Sequence, residues 1–125
     1  MRVCYRIWLD NNGKAFGEGP FRLLQGVAET GSLHQAAARM GMSYRKAWNL
    51  LNQIEERLGF PLLERRVGGV SGGGSTITPQ GLELMVHYER FREEIGREIR
   101  QAYNKHLGYM DSGPGRGQPQ DDPPS

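Results

Sequence analysis

The sequence holds a single cysteine, Cys4, among its 125 residues, which excludes an internal disulfide and a cysteine-rich zinc site and fits a reducing compartment. No stretch approaches the roughly 20 apolar residues that span a bilayer, and the first residues lack a long apolar run after a basic start. A cytoplasmic protein without a membrane anchor is expected. His34, His87 and His106 are scattered without metal-ligand spacing, and Cys4 has no evident partner for nucleophilic chemistry. No catalytic residue, metal or cofactor is therefore expected, and the chain is read as a non-enzyme. Gly69–Thr76 comes near the phosphate-loop pattern, but Ser75 stands where lysine is required and Pro79 follows too soon for the usual context.

The chain also has little net charge, +2, yet that charge is unevenly placed. Residues 34–66 hold six basic groups against three acidic ones, whereas residues 108–125 hold one against three. The positive excess sits in the middle third, where a polyanion would dock. Length allows one domain, since a single core is built from roughly 100 to 150 residues.

Val3–Leu9 alternates and is rich in branched and aromatic residues, and Asp10-Asn11-Asn12-Gly13 supplies turn chemistry before Lys14-Ala15-Phe16, which predicts a small hairpin. Pro20 fits a first helical position, and Phe21, Leu24, Val27 and Ala28 recur at helical spacing up to Gly31. Ser32 with Gln35 forms a capping-box pattern for a second, short helix whose stripe is Leu33, Ala36, Ala37 and Met40. Ser43 then caps a third helix with Ala47, Leu51, Ile54 and Leu58 on one face, stopped by Gly59 and Pro61.

Two helices of this size around Gly41 match a helix-turn-helix, an arrangement that a generic three-helix bundle would share. The continuation decides between them. Leu62–Arg66 and Ser75–Thr78 read as strands around the glycine-rich segment 68–74, a two-stranded wing. Thr78 and Pro79 open a last helix reaching about His106, with Leu84, Tyr88, Phe91, Ile95, Ile99 and Ala102 in one apolar stripe. A terminal helix of about 28 residues exceeds what so small a domain needs, so a matching helix from a second copy is its expected partner, against the alternative of packing on its own domain.

The predicted class is thus mainly α with a small β wing: a winged helix-turn-helix domain over residues 1–107, of which 79–107 is a dimerisation helix. Residues 108–125, dominated by Gly, Pro and polar residues, are expected to be a disordered tail.

On the third helix the apolar stripe faces inward, so Arg45, Asn49 and Asn52 project outward, with Tyr44 and Lys46 near the start. Arginine pairs bidentately with guanine and asparagine with adenine, which suits a base-reading face. Ser43 and the free amides at the helix start can seat a phosphate, as can Arg65 and Arg66 at the wing base. His34 is either within reach of a phosphate or simply solvated. Trp48 can either stack or pack, with packing the favoured role because large aromatics usually serve the core.

Phe21–Glu93 resembles the DNA-binding domain of the molybdate-responsive ModE family, which is similar in turn to the N-terminal domain of LysR-type regulators. The residues that carry the resemblance are Gly-Ser-Leu-His-Gln-Ala-Ala (31–37), Gly-Met-Ser-Tyr-Arg-Lys-Ala-Trp (41–48), Leu-Leu-Glu-Arg (62–65), Gly-Gly-Val-Ser-Gly-Gly-Gly (68–74) and Ile-Thr-Pro-Gln-Gly (77–81). The Ser-Tyr-Arg-Lys-Ala-Trp segment and the glycine-rich wing lean toward ModE. The resemblance implies a homodimer on a palindromic operator in double-stranded DNA, with recognition helices in successive major grooves and wings on the backbone or minor groove. Full-length members of that family carry C-terminal molybdate-binding domains, whereas this chain ends in a polar tail. Molybdate sensing would then need a separate effector-binding protein. The competing expectation is a winged-helix interaction module that pairs with another regulator or effector subunit and does not bind DNA.

Overall fold

The computed structural model of the chain describes residues 1–66 and 74–111; the tip of the expected wing and residues 112–125 of the expected tail lie outside them. The chain divides into two compact units, one formed by Ile7–His87 and one by Met1–Arg6 with the chain from Tyr88 onward.

The first unit opens with an antiparallel hairpin, β1 (Trp8–Asp10) and β2 (Lys14–Gly17), in the register Trp8↔Gly17, Leu9↔Phe16 and Asp10↔Lys14. Asn12 and Gly13 turn it with φ of 57° and 130°, conformations that asparagine and glycine adopt at least cost. The strand expected over Val3–Leu9 is shorter, because its partner ends at Gly17 and a strand extends only as far as the ladder that pairs it. The hairpin is fastened to the third helix: the Asn11 side-chain amide donates to the Arg57 carbonyl at 2.8 Å, and the Arg57 guanidinium donates to the Lys14 carbonyl at 2.8 Å.

Helix α1 (Glu18–Thr30) begins two residues before Pro20. The first-turn amides of a helix need no intrahelical partner, so proline fits any of these positions. Phe21, Leu23, Leu24 and Val27 are buried, while Ala28, expected on the stripe, is exposed. Gly31, at φ 72°, closes the helix with its amide on the Val27 carbonyl. α2 (Leu33–Arg39) is capped by Ser32, whose hydroxyl accepts from the Gln35 amide at 3.2 Å. Only half of the expected capping box forms: the Ser32 amide donates to Thr30 Oγ1 at 3.1 Å. α1 and α2 meet at Gly26, where a Cβ would come within 2.8 Å of the Ala36 Cβ.

α3 (Tyr44–Leu58) starts at Ser43, whose hydroxyl accepts from the Lys46 amide at 3.1 Å, and ends at Gly59 with φ 86°. Ala47, Leu51 and Ile54 are buried and Leu58 is half-buried, as the spacing requires. The wing strands β3 (Leu63–Arg66) and β4 (Gly74–Ile77) pair antiparallel from Leu63↔Ile77 to Arg66↔Gly74. Two links hold β4 in place: the Ser75 amide donates to the Gly31 carbonyl at 3.0 Å, and the Thr78 amide to that of Leu62 at 2.9 Å. Thr78 Oγ1 donates to the Pro61 carbonyl and accepts from the Gly81 amide, so the expected cap also clasps the segment before the wing. From Pro79 the chain enters α4 (Pro79–Leu107).

In the second unit α4 passes into a 3-10 turn, Gly108–Asp111. The Asp111 carboxylate, nearly buried, accepts from the Tyr103 hydroxyl at 2.6 Å and from the Met1 ammonium at 3.0 Å. The tail expected from Gly108 is therefore ordered for its first four residues, because a buried acceptor there has two donors.

Candidate nucleic-acid interface

The geometry of α3 follows from where its small and branched residues lie. Ala47, Leu51 and Ile54 turn one face into the body, so the residues on the flanks and far side of the helix face outward. Tyr44, Arg45, Lys46, Trp48 and Asn49 are all exposed, and Ser43 is exposed at the capped start. This gathers all but one of the third-helix residues expected to face a groove onto one open surface. Asn52 is half-buried instead, and its Oδ1 accepts from Arg65 Nη2 at 3.2 Å.

Arg65 departs further from expectation. Read as a phosphate ligand, it lies with its side chain only 24% exposed, Nη1 3.9 Å from Glu55 Oε1 and its guanidinium 5.2 Å from the centre of the Trp48 ring. Its Nε is buried with no hydrogen-bond partner among the described residues. The guanidinium thus braces β3 on α3. Arg66 ends β3 opposite Gly74; its side chain lies outside the described part.

Glu55 escaped sequence reasoning altogether. Its Oε2 accepts from the amides of Leu62 at 2.6 Å and Leu63 at 3.2 Å, the first residues of the wing. Charge-assisted bonds of this kind are about twice as strong as neutral ones. Only its placement one residue after Ile54 could have hinted that it borders the buried stripe.

Trp48, for which packing is the favoured of two expected roles, is 39% exposed. It lies next to the buried Ala47 and off the stripe, so one face meets the Arg65 guanidinium and the rest opens outward. His34, from the first turn of α2, stacks on Tyr44 with ring centres 4.0 Å apart and an interplanar angle of 6°.

Along α4, Tyr88 is 3% exposed and Phe91 43% exposed; Leu84, Ile95 and Ile99 are half-buried. Leu82 and Val86, outside the expected stripe, are also exposed. No helix among the described residues is long and apolar enough to cross a membrane, and no three of their His, Cys, Asp or Glu side chains gather to hold a metal ion.

Residues 20–82 match the family model of the bacterial regulatory helix-turn-helix proteins of the lysR family. Over 65 residues the chain is 42% identical to the molybdenum transport protein ModE of Herbaspirillum seropedicae, covering 52% of this chain and 24% of that one. It is 34% identical over 87 residues to the molybdenum-pterin-binding protein MopB of Rhodobacter capsulatus, covering 70% of this chain and 32% of that one. The DNA-binding transcriptional dual regulator ModE of Escherichia coli is 37% identical over 67 residues, covering 54% of this chain and 26% of that one. The chain spans a third or less of the length of each of these relatives. Among solved structures, that of the CbnR DBD–DNA complex is similar with a TM-score of 0.54 at 26% identity, covering 70% of this chain and 97% of that one. The BenM DBD bound to benA site 1 DNA shares the fold, with a TM-score of 0.52 at 21% identity over 71% of this chain and 94% of that one.

Proposed function

The chain belongs to the lysR family of bacterial regulatory helix-turn-helix proteins, and from that premise we propose that it is a sequence-specific, DNA-binding transcription regulator acting as a homodimer in the cytoplasm. The observation that carries this reading is the division of α3 into a buried apolar face and an open face bearing Tyr44, Arg45, Lys46, Trp48 and Asn49. Arg45 and Asn49 read base edges. Ser43, with the free amides and positive dipole end of α3, seats a backbone phosphate, and Lys46 and Arg66 add charge at the flanks.

The dimer forms through α4. Phe91, with the half-buried Leu84, Ile95 and Ile99, supplies the seam that a second copy covers, and Tyr88 supports it from inside the chain. A two-fold dimer places its recognition helices on half-sites about 34–36 Å apart, one turn of the duplex, so the operator is a palindrome. The relatives named for molybdenum motivate testing molybdate, both alone and together with a candidate effector-binding protein.

The test is fluorescence anisotropy against upstream genomic fragments at two salt concentrations, with and without molybdate. Tight, salt-sensitive and sequence-selective binding is expected, and the molybdate arm reads whether the chain itself responds to that anion. Arg45→Ala is expected to cost about 1–3 kcal/mol of discrimination, and Arg66→Ala a smaller loss that is the same for every sequence. If no fragment binds, the chain is an interaction module that has kept the winged fold.

A further inference from the structure

Two aromatic rings interrupt the polar outer face of α3. Tyr44 and Trp48 are each 39% exposed and stand one helical turn apart on the same side. Together with Arg45 and Asn49 they line a concavity of about 390 Å³. Most tryptophans obtain more burial than this, because a ring left in water forgoes the largest gain a side chain can make.

Neither ring is loose. Tyr44 is stacked on His34 at 4.0 Å, and Trp48 lies under the Arg65 guanidinium at 5.2 Å. Arg65 is fixed in turn by Asn52 Oδ1 and by the Glu55 carboxylate, which also holds the amides of Leu62 and Leu63. The two walls of the concavity are therefore pinned from outside, one by α2 and one by the wing. A cleft held open in this way takes up an apolar group without the cost of first ordering its side chains.

Resting on the DNA-binding reading above, we infer that the cleft between Tyr44 and Trp48 is a thymine subsite, which receives the C5-methyl group of a thymine while Arg45 and Asn49 hydrogen-bond to neighbouring base edges. The thymine methyl is the apolar group that base pairs offer in the major groove; guanine, cytosine and adenine present donors and acceptors there. An aromatic concavity flanked by Arg45, Lys46 and Asn49 matches that combination of one apolar group within an anionic, hydrogen-bonding groove. Arg65 is then a positioning residue: it touches Trp48 and sets the angle of the ring, and its partly covered guanidinium is not spent on a phosphate.

The experiment uses the full chain and a duplex that it enriches from a pool of random sequences. Each thymine of that duplex is replaced in turn by deoxyuridine, which lacks only the methyl group, and Kd is read by anisotropy. One thymine in each half-site is expected to matter, its replacement weakening binding about fourfold, the equivalent of ~0.8 kcal/mol for one buried methyl-sized group. Trp48→Ala, and independently Tyr44→Ser, should bind the unmodified duplex more weakly and no longer distinguish thymine from deoxyuridine at that place. Arg65→Lys keeps the charge but loses the planar fork; it should lose part of the same discrimination while the dependence of Kd on salt is unchanged. A wild-type chain indifferent to every deoxyuridine overturns the inference while leaving DNA binding intact, as does full discrimination by Trp48→Ala and Tyr44→Ser. A chain that enriches no sequence at all overturns the DNA-binding reading itself.

Discussion

Ser43 caps α3 without closing its start. It accepts from the Lys46 amide, and it leaves the remaining first-turn amides of α3 open to an anion. Ser43→Ala is expected to lower stability by about 1 kcal/mol in urea denaturation. Ser43→Asp restores the cap but sets a negative charge where the phosphate would sit, so recovered stability with lost DNA binding would separate the two roles. Gly26 shows the opposite case, a residue required for what it lacks. Gly26→Ala would push a Cβ to 2.8 Å from the Ala36 Cβ and 3.1 Å from its Cα, which forces α1 and α2 apart. A loss of about 1–3 kcal/mol is expected, relieved at least in part by the second change Ala36→Gly.

At the scale of elements, the wing stands on α3 through one carboxylate. Glu55→Ala would leave the Leu62 and Leu63 amides without their acceptor, so stability should fall by about 2 kcal/mol; Glu55→Gln, which can still accept, should recover part of that loss. The helices and their caps are legible in sequence because the capping bonds of Ser32, Ser43, Thr78, Gly31 and Gly59 reach no more than four residues along the chain, where spacing and geometry are one fact. The Glu55 and Arg65 links are not, since they join residues seven to thirteen apart in the chain whose meeting depends on how the wing folds back. The same limit explains Trp48 and Asn52: periodicity gives the side of the helix a residue occupies, not whether a neighbour from another element covers it. For α4 the spacing shows the apolar stripe but not what covers it, and Tyr88 is already buried in the single chain while Phe91 is not. Phe91→Glu is accordingly expected to weaken self-association most, seen as a shift toward monomer in sedimentation, with the melting of the monomer little changed.

For the whole molecule, a net charge of +2 would suggest weak attraction to DNA, but affinity depends on the cations that face the phosphates rather than on the total. Binding by the proposed dimer should fall linearly on a log–log plot against salt, with a slope of about −0.9 for each phosphate neutralised. A slope near zero would remove the nucleic-acid reading. The division of α3 has one more consequence, which concerns descent. The side chains that fasten this helix to the body, Ala47, Leu51 and Ile54, are separate from those that look outward, so under the proposed reading a lineage can readdress such a chain to another control site by altering Arg45 or Asn49 while its architecture is inherited intact. Trp48 is the exception. It is tied to Arg65, so a change of address at that position is expected to bring the wing with it, as two substitutions selected together.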